Sequence, residues 1–298
     1  MAEVHYEKGH HGLGIFFVLM SELAYALMQV SVALTDRNIG VAEQTFSRSV
    51  ISFAIFYLMS RRENVPLFGP ARYRPLLLLR AALGICSVTC LFYAVRNAHQ
   101  ADVALMSRMS IFMTTALSAF FLKERIGAGH VFALLLAFTG AFIAADPRFD
   151  SSFLPMFAAF CNAFGSSIIY ILLAYFAGRV HATTILLSFC LLMAAATFPP
   201  MMASFVMPTP RDAFFMLCTG LSAAAAQVLM TRAYRMAPPG ELGIYSQLSI
   251  LMSAVLGWLF LSEVPSARTC VGGAVVIVAS FVLYFHKKGQ AVGRRGAR

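Results

Sequence analysis

One acidic residue lies deep inside an apolar run of the chain: Glu22, ten residues into the run that begins at Gly12. Tyr25 follows three residues later, so on a helix the two side chains share one face. A carboxylate beside an aromatic ring can hold an amine, and a carboxylate in apolar surroundings can also serve a proton relay. We predict that Glu22 and Tyr25 bind an amine or that Glu22 couples to a proton. The alternative is a structural ion pair of Glu22 with Arg48 or Arg108.

Arginine and amide side chains lie in further apolar runs. Arg48 is in the middle of the second run, and we predict for it a coupling or structural charge. Arg108 aligns with Gln247 across an internal repeat, and we predict that the two contact the acidic or amide end of a ligand; hydrogen bonding between helices is the alternative. Arg80 lies near one end of the third run, from which its long side chain is expected to reach water. Weaker candidates for ligand binding are Tyr93, Tyr245, Tyr170 and Gln29.

The composition predicts an all-α membrane protein. The 298 residues are 59% hydrophobic and 12% charged, whereas soluble domains carry roughly 25% charged residues. A bilayer core takes about 20 apolar residues per helix. Ten runs are long enough to be read as such helices: about 12–34, 41–60, 75–95, 102–122, 128–145, 153–176, 183–206, 212–234, 241–261 and 268–285.

Two stretches of the chain repeat each other. Residues 91–124 align with residues 230–263 without a gap, and 11 of the 34 positions are identical, where chance would give about three or four. Five runs per half is an odd number, so the halves are expected to cross the membrane in opposite directions. Inverted repeats are typical of secondary transporters, whose substrate site lies where the repeats meet. We predict one five-helix repeat over 1–147, a second over 148–286 and a basic tail over 287–298.

Positive charges are distributed unevenly between the two sides of this arrangement. With a cytoplasmic N-terminus, fifteen Lys and Arg residues fall in the inside segments and five in the outside loops. This bias predicts that both termini are cytoplasmic. The net charge of +10 then reflects topology and contact with lipid headgroups, and we predict no binding of nucleic acid.

Motifs for catalysis are absent from the sequence. It contains no Gly-x-Ser-x-Gly, no P-loop, no metal-ligand spacing of His or Cys, and no pair of carboxylates in the middle of a run. We therefore predict that the protein is not an enzyme and that it has no catalytic residue, metal site or cofactor. Transport driven by ATP is not expected from this chain alone.

Short motifs along nearly the whole chain occur together in one known family. They are Leu91-Phe92-Tyr93-Ala94-Val95, Ala101-Asp102-Val103-Ala104, Phe121-Leu122-Lys123-Glu124-Arg125, Phe260-Leu261-Ser262-Glu263, Thr231-Arg232-Ala233-Tyr234, Phe46-Ser47-Arg48, Gly140 and Gly272-Gly273. Together they resemble the EamA family of the drug/metabolite transporter superfamily. The resemblance implies ten helices in two inverted five-helix repeats, a central cavity and secondary transport of a small metabolite. Substrates of that family range from amino acids and toxic cations to vitamins and nucleoside-like metabolites.

Taken together, the sequence predicts a multi-pass carrier of the plasma membrane, here the bacterial inner membrane, that works by alternating access. The expected substrate is a small zwitterion or cation, such as an amino acid or related amine, with export preferred over uptake. A proton or a counter-substrate is the expected coupling partner, and a homodimer stays open. The alternative is a carrier for an anionic, nucleoside-like or vitamin metabolite that Arg48 and Arg108 bind. A membrane enzyme or a scaffold is disfavoured, because no catalytic cluster is present and a scaffold does not need two inverted halves.

Overall fold

The protein is described by a computed structural model and is built from helices. The described residues are 11–36, 38–67, 69–97, 100–121, 127–145, 153–237, 239–246, 248–261, 267–268, 270–279 and 281–282, and none of them is in a strand. The helices are α1 (His11–Leu34), α2 (Val41–Glu63), α3 (Arg74–Asn97), α4 (Gln100–Phe121), α5 (Ala128–Ala145), α6 (Phe153–Phe176), α7 (Ala182–Ala203), α8 (Pro210–Met236), α9 (Pro239–Ser246), α10 (Ser249–Leu261) and α11 (Cys270–Ala279). A 3₁₀ turn, Ala71–Tyr73, precedes α3.

Within the part of the chain that the structure describes, five helical segments are long and apolar enough to cross a bilayer: Gly12–Leu34, Ala71–Leu91, Phe153–Phe176, Ala182–Ala203 and Pro210–Met236. Shorter apolar helices are Met109–Phe121, Val131–Gly140 and Cys270–Ala279. Large apolar side chains cover the outside, among them Phe120 at 75% and Phe153 at 81% exposure. The protein is therefore a multi-pass membrane protein, whereas the predicted total of ten spans stays a prediction.

The ninth predicted helix is interrupted, contrary to the single run expected over 241–261. Helix α9 ends at Ser246 and α10 begins at Ser249. The backbone N–H of Leu248 donates to the carbonyl of Tyr245 at 3.1 Å, a three-residue step, and the N–H of Met252 donates to the carbonyl of Leu248 at 3.2 Å. A three-residue hydrogen bond tightens the turn and interrupts the regular helical ladder, which sequence periodicity does not reveal.

The helices pair in a way that relates the two halves of the chain. Helix α1 packs on α8, and α6, its counterpart five predicted helices later, packs on α3. Likewise α4 packs on α6, while α9 and α10 pack on α1; α2 and α7 pack on each other. Two related halves would produce such an exchange of partners, and the repeat bounds 1–147 and 148–286 stay a prediction.

Small residues allow close approach between helices of different halves. A Cβ atom added to Gly140 in α5 would lie 2.7 Å from the carbonyl oxygen of Gly272 in α11, so the two backbones are in contact. A Cβ atom added to Gly220 in α8 would lie 2.6 Å from Ile51 in α2, and the Ser52 hydroxyl donates to the Gly220 carbonyl at 3.2 Å. Packing through small residues is how membrane helices associate when water supplies no driving force between them.

Carboxylates of α2 contact α7 at one end of the helix and the segment that follows α7 at the other. At the start of α2, the Glu43 side chain is buried and accepts from the Val206 N–H at 3.2 Å. At the end of α2, the Glu63 side chain accepts from the Thr183 hydroxyl at 2.5 Å and lies 3.6 Å from Nδ1 of His181. These contacts fix the register of the α2–α7 pair, which carries Arg48 on α2 and Phe189 on α7.

Candidate functional site

Helix α1 presents Glu22 and Tyr25 beside α8. The hydroxyl of Ser21, which is fully buried, donates to the carbonyl of Ala226 at 2.8 Å and fixes the rotation of α1 against α8. Glu22 and Tyr25 are partly buried, and both act electrostatically on Tyr234 of α8. Glu22 and Tyr25 therefore have a common neighbour on the facing helix, while their role in binding stays a prediction.

Tyr25 lies at the centre of a polar cluster. Its side chain is hydrogen-bonded to Gln227 of α8 and is under the electrostatic influence of Arg48, Glu22 and Arg80. Four helices, α1, α2, α3 and α8, thus place a polar or charged group around one phenol. We call Glu22, Tyr25, Arg48, Arg80, Gln227 and Tyr234 the central cluster.

An aromatic pair borders the central cluster. Tyr234, 1% exposed, stacks on Tyr170 of α6 with ring centroids 5.0 Å apart and an interplanar angle of 22°. Offset or near-parallel stacking of this kind favours a fixed ring orientation. The pair belongs to the largest buried cluster of the described residues, which also holds Tyr245.

Arg80 is buried, contrary to the expectation that it reaches water from the end of α3. It is 2% exposed, its guanidinium carbon lies 4.5 Å from the centroid of the Phe189 ring in α7, and Nη2 donates to Oε1 of Gln227 at 3.5 Å. The prediction was wrong because the Phe189 ring of α7 covers the guanidinium and Gln227 of α8 reaches it. A Cβ atom added to Gly84, one turn further, would lie 2.5 Å from the Phe189 ring, so this glycine makes room for the ring beneath Arg80.

Arg48 approaches the same place from α2. It is 8% exposed, and both Arg48 and Arg80 act on the Cys190 side chain of α7 as well as on Tyr25. Two guanidinium groups and one carboxylate therefore lie close enough to Tyr25 to act on it electrostatically. Charged groups within the helices of a membrane protein are costly and are associated with substrate or ion pathways.

Other residues predicted from the sequence lie elsewhere or outside the described part. Gln247 and the side chain of Arg108 are outside the described residues, so their contact with a ligand stays a prediction. Tyr245 is 5% exposed and lies in the buried cluster with Tyr234. Tyr93 is 42% exposed, no described contact joins it to the central cluster, and its role stays a prediction. The sequence did not predict Arg80, Gln227 or Tyr234 as site residues, although the glycine at position 84 was a signal of close packing beside Arg80.

The central cluster has the composition of a binding site. Among the residues that the structure describes, no group of three or more His, Cys, Asp or Glu side chains is placed to hold a metal ion. The cluster instead combines one carboxylate, two guanidinium groups, an amide and phenol rings, which recognise charged and aromatic small molecules through ion pairs, hydrogen bonds and ring contacts.

Comparison with known proteins assigns the family. The model of the EamA-like transporter family matches residues 12–145 and again residues 153–285. The chain belongs to the EamA-like transporter family. The two matches divide the central cluster: Glu22, Arg48 and Arg80 come from the first matched segment, and Gln227 and Tyr234 from the second. Members of the EamA-like family are transporters rather than enzymes, and this EamA-like chain is a membrane transport protein.

Relatives of this EamA-like chain are named as transporters of different compounds. It is 29% identical over 278 residues to the pseudopaline exporter CntI of Pseudomonas aeruginosa, and the alignment covers 93% of this chain and 97% of that relative. It is 24% identical over 293 residues to a riboflavin transporter of Vibrio cholerae, and this alignment covers 94% of this chain and 96% of that relative. A crystal structure with 18% identity superposes with a TM-score of 0.78 over 93% of this chain and 96% of that chain, which shows the fold alone.

Proposed function

We propose that the protein is a secondary active transporter that moves a small amine-bearing metabolite, such as an amino acid or related compound, across the bacterial inner membrane. The observation that carries this proposal is the central cluster, in which Glu22 and Tyr25 of α1 face Tyr234 of α8. A partly buried carboxylate bordered by phenol rings is suited to an ammonium group, because the ion pair and the ring faces both attract a cation.

The position of the central cluster supports alternating access. It lies at the contact between helices of the two segments that match the family, where movement of one half against the other would change access to it. The proposal includes the two five-helix repeats over 1–147 and 148–286, the basic tail over 287–298 and cytoplasmic termini. Export is the preferred direction, and one of the relatives described above is named as an exporter. The coupling partner is a proton or a counter-substrate.

The test is a thermal-stability screen followed by flux measurement in proteoliposomes. Purified protein is heated with amines, amino acids, organic anions and nucleoside-like compounds; a ligand at about 100 times its dissociation constant adds roughly 2.7 kcal/mol to stability. We expect an amine or amino acid to raise the melting temperature and to be transported, and Glu22→Gln to abolish both effects in folded protein. Glu22→Asp is the matched control that keeps the charge. Full transport by Glu22→Gln would contradict the proposal.

A second candidate function is transport of an anionic, nucleoside-like or vitamin metabolite. The observation that favours it is the burial of Arg48 and Arg80 beside Tyr25, since guanidinium groups bind anions well. Stabilisation only by anions or nucleoside-like compounds, unchanged by Glu22→Gln, would favour this candidate over the amine carrier.

A further inference from the structure

In the described part of the protein, the guanidinium of Arg80 is a buried cation with unpaired donors. It is 2% exposed, and its Nε and Nη1 atoms have no hydrogen-bond partner in the described part of the protein. Its third nitrogen reaches Gln227 at 3.5 Å, the long limit of a hydrogen bond. Leaving the donors of a buried cation without acceptors is costly. The arrangement therefore favours binding of a ligand group that accepts hydrogen bonds from Arg80.

No carboxylate of the described residues supplies that acceptor. The groups that act electrostatically on Arg80 are Cys190 and Tyr25, neither of which is an acid of the Asp or Glu type. Phe189 supports the guanidinium through its ring face, which accepts no conventional hydrogen bond. The charge on Arg80 is thus held in place by neighbours that do not neutralise it.

Among the residues that the structure describes, the charged groups that act on Tyr25 leave an excess of one positive charge. Glu22 contributes one negative charge, whereas Arg48 and Arg80 contribute two positive charges. One monoanionic group balances this set. A carboxylate fits this need, because it carries one negative charge and two oxygens that accept from guanidinium donors.

The acid and the guanidinium come to the cluster from different helices, Glu22 from α1 and Arg80 from α3. Both act electrostatically on Tyr25. Glu22 thus provides a group that attracts a cation and Arg80 a group that attracts an anion beside the same phenol. A ligand that carries both charges on one small skeleton can contact both groups.

We propose that Arg80, supported by Phe189 and Gln227 and assisted by Arg48, is the binding site for a substrate carboxylate, so that the transported compound is an amino acid type of zwitterion rather than a simple amine. This inference rests on the proposed function and narrows its substrate class. It adds to that function Arg80 as the residue that binds the carboxylate of the substrate.

The experiment compares compounds that differ only in their charged ends. The probes are series of an amino acid, its amide, its decarboxylated amine and its deaminated acid, beginning with phenylalanine, phenylalaninamide, phenethylamine and 3-phenylpropionate because the site is rich in aromatic rings. Binding is measured by melting temperature and by flux in proteoliposomes. The variants are Arg80→Gln and Arg80→Lys, with Arg72→Gln as matched control, since Arg72 also lies over an aromatic ring, that of Tyr73, but is exposed.

We expect the wild type to bind the amino acid at least tenfold more tightly than its amide or amine. Arg80→Gln should weaken binding of the amino acid about ten- to hundredfold and leave the amine unchanged, while Arg80→Lys restores part of the preference. Without ligand, Arg80→Gln should melt no lower than the wild type, because it removes a buried charge that has no counter-ion. A lower melting temperature of the ligand-free variant would indicate a structural role.

Equal binding of acid, amide and amine would overturn the carboxylate site while the transport function stands. Retention of the preference in Arg80→Gln would do the same, and would leave water as the partner of the Arg80 donors. If no member of any series binds or is transported by the wild type, the proposed function fails together with this inference.

Discussion

The guanidinium carbon of Arg80 lies 4.5 Å from the centroid of the Phe189 ring, and the same residue donates to Gln227. This contact joins α3 to α7, while Gln227 joins Arg80 to Tyr25 of α1 through α8. Three interhelical contacts thus form a path from the aromatic support of the arginine to the helix that carries Glu22. Changes along this path are expected to affect ligand binding in graded ways.

Substitution of Gly84 should disturb the ring that supports Arg80. In Gly84→Ala the new Cβ atom would lie 2.5 Å from Cε2 of Phe189, so the ring must turn away from the guanidinium. Loss of the ring contact is worth about 1–2 kcal/mol in a desolvated site, and we expect affinity for an amino acid to fall about five- to thirtyfold. Binding titrations in detergent measure the change.

The matched control for that substitution is Gly12→Ala. Position 12 is exposed, and an added Cβ atom there meets nothing within 4 Å. The control should bind like the wild type. Unchanged affinity in Gly84→Ala would show that the position of the Phe189 ring does not matter for binding.

Removal of the Tyr25 hydroxyl should weaken binding while it preserves the aromatic ring. Tyr25→Phe loses the hydrogen bond to Gln227, a bond whose net worth is about 0.5–1.5 kcal/mol. We expect a two- to tenfold loss of affinity and a smaller effect than that of Glu22→Gln, since the ring and the carboxylate remain. The control is Tyr57→Phe, because Tyr57 lies on the exposed side of α2 at 39% exposure. An equal loss of affinity in both variants would argue against a central position of Tyr25.

The contact between α5 and α11 should tolerate no side chain at Gly140. In Gly140→Ala the Cβ atom would lie 2.7 Å from the Gly272 carbonyl oxygen and 2.9 Å from the backbone nitrogen of Val276. Backbone atoms cannot move aside singly, so the helices must separate, at a cost of about 1–3 kcal/mol. The melting temperature of the purified protein should fall by several degrees.

Gly127→Ala provides the comparison for this pair of helices. An added Cβ atom at position 127, just before α5, meets nothing within 4 Å. We expect its melting temperature to match that of the wild type. A Gly140→Ala variant as stable as this control would mean that α5 and α11 are not held in close contact in the membrane.

Several features of this protein were determined by the sequence alone. The start of α5 at Ala128 and the end of α6 at Phe176 agree to the residue with the predicted runs 128–145 and 153–176, because long apolar segments between charged or Pro-containing separators define membrane helices locally. The i, i+3 spacing of Glu22 and Tyr25 also places both side chains on one face of α1 without any tertiary contact, since helical periodicity depends only on the backbone. The family motifs and the internal duplication likewise depend on residue order.

Only the tertiary structure decided which polar groups meet. Arg80 near a helix end can reach water or be buried, and the outcome depends on α7 and α8, which lie far away in the chain. Gln227 and Tyr234 were not distinguishable from other polar residues of α8 until the contact between α1 and α8 brought them to Tyr25. The interruption between α9 and α10 was equally hidden, because apolar periodicity continues across it. Local patterns set the helices, whereas the site arises from packing between residues separated by more than a hundred positions.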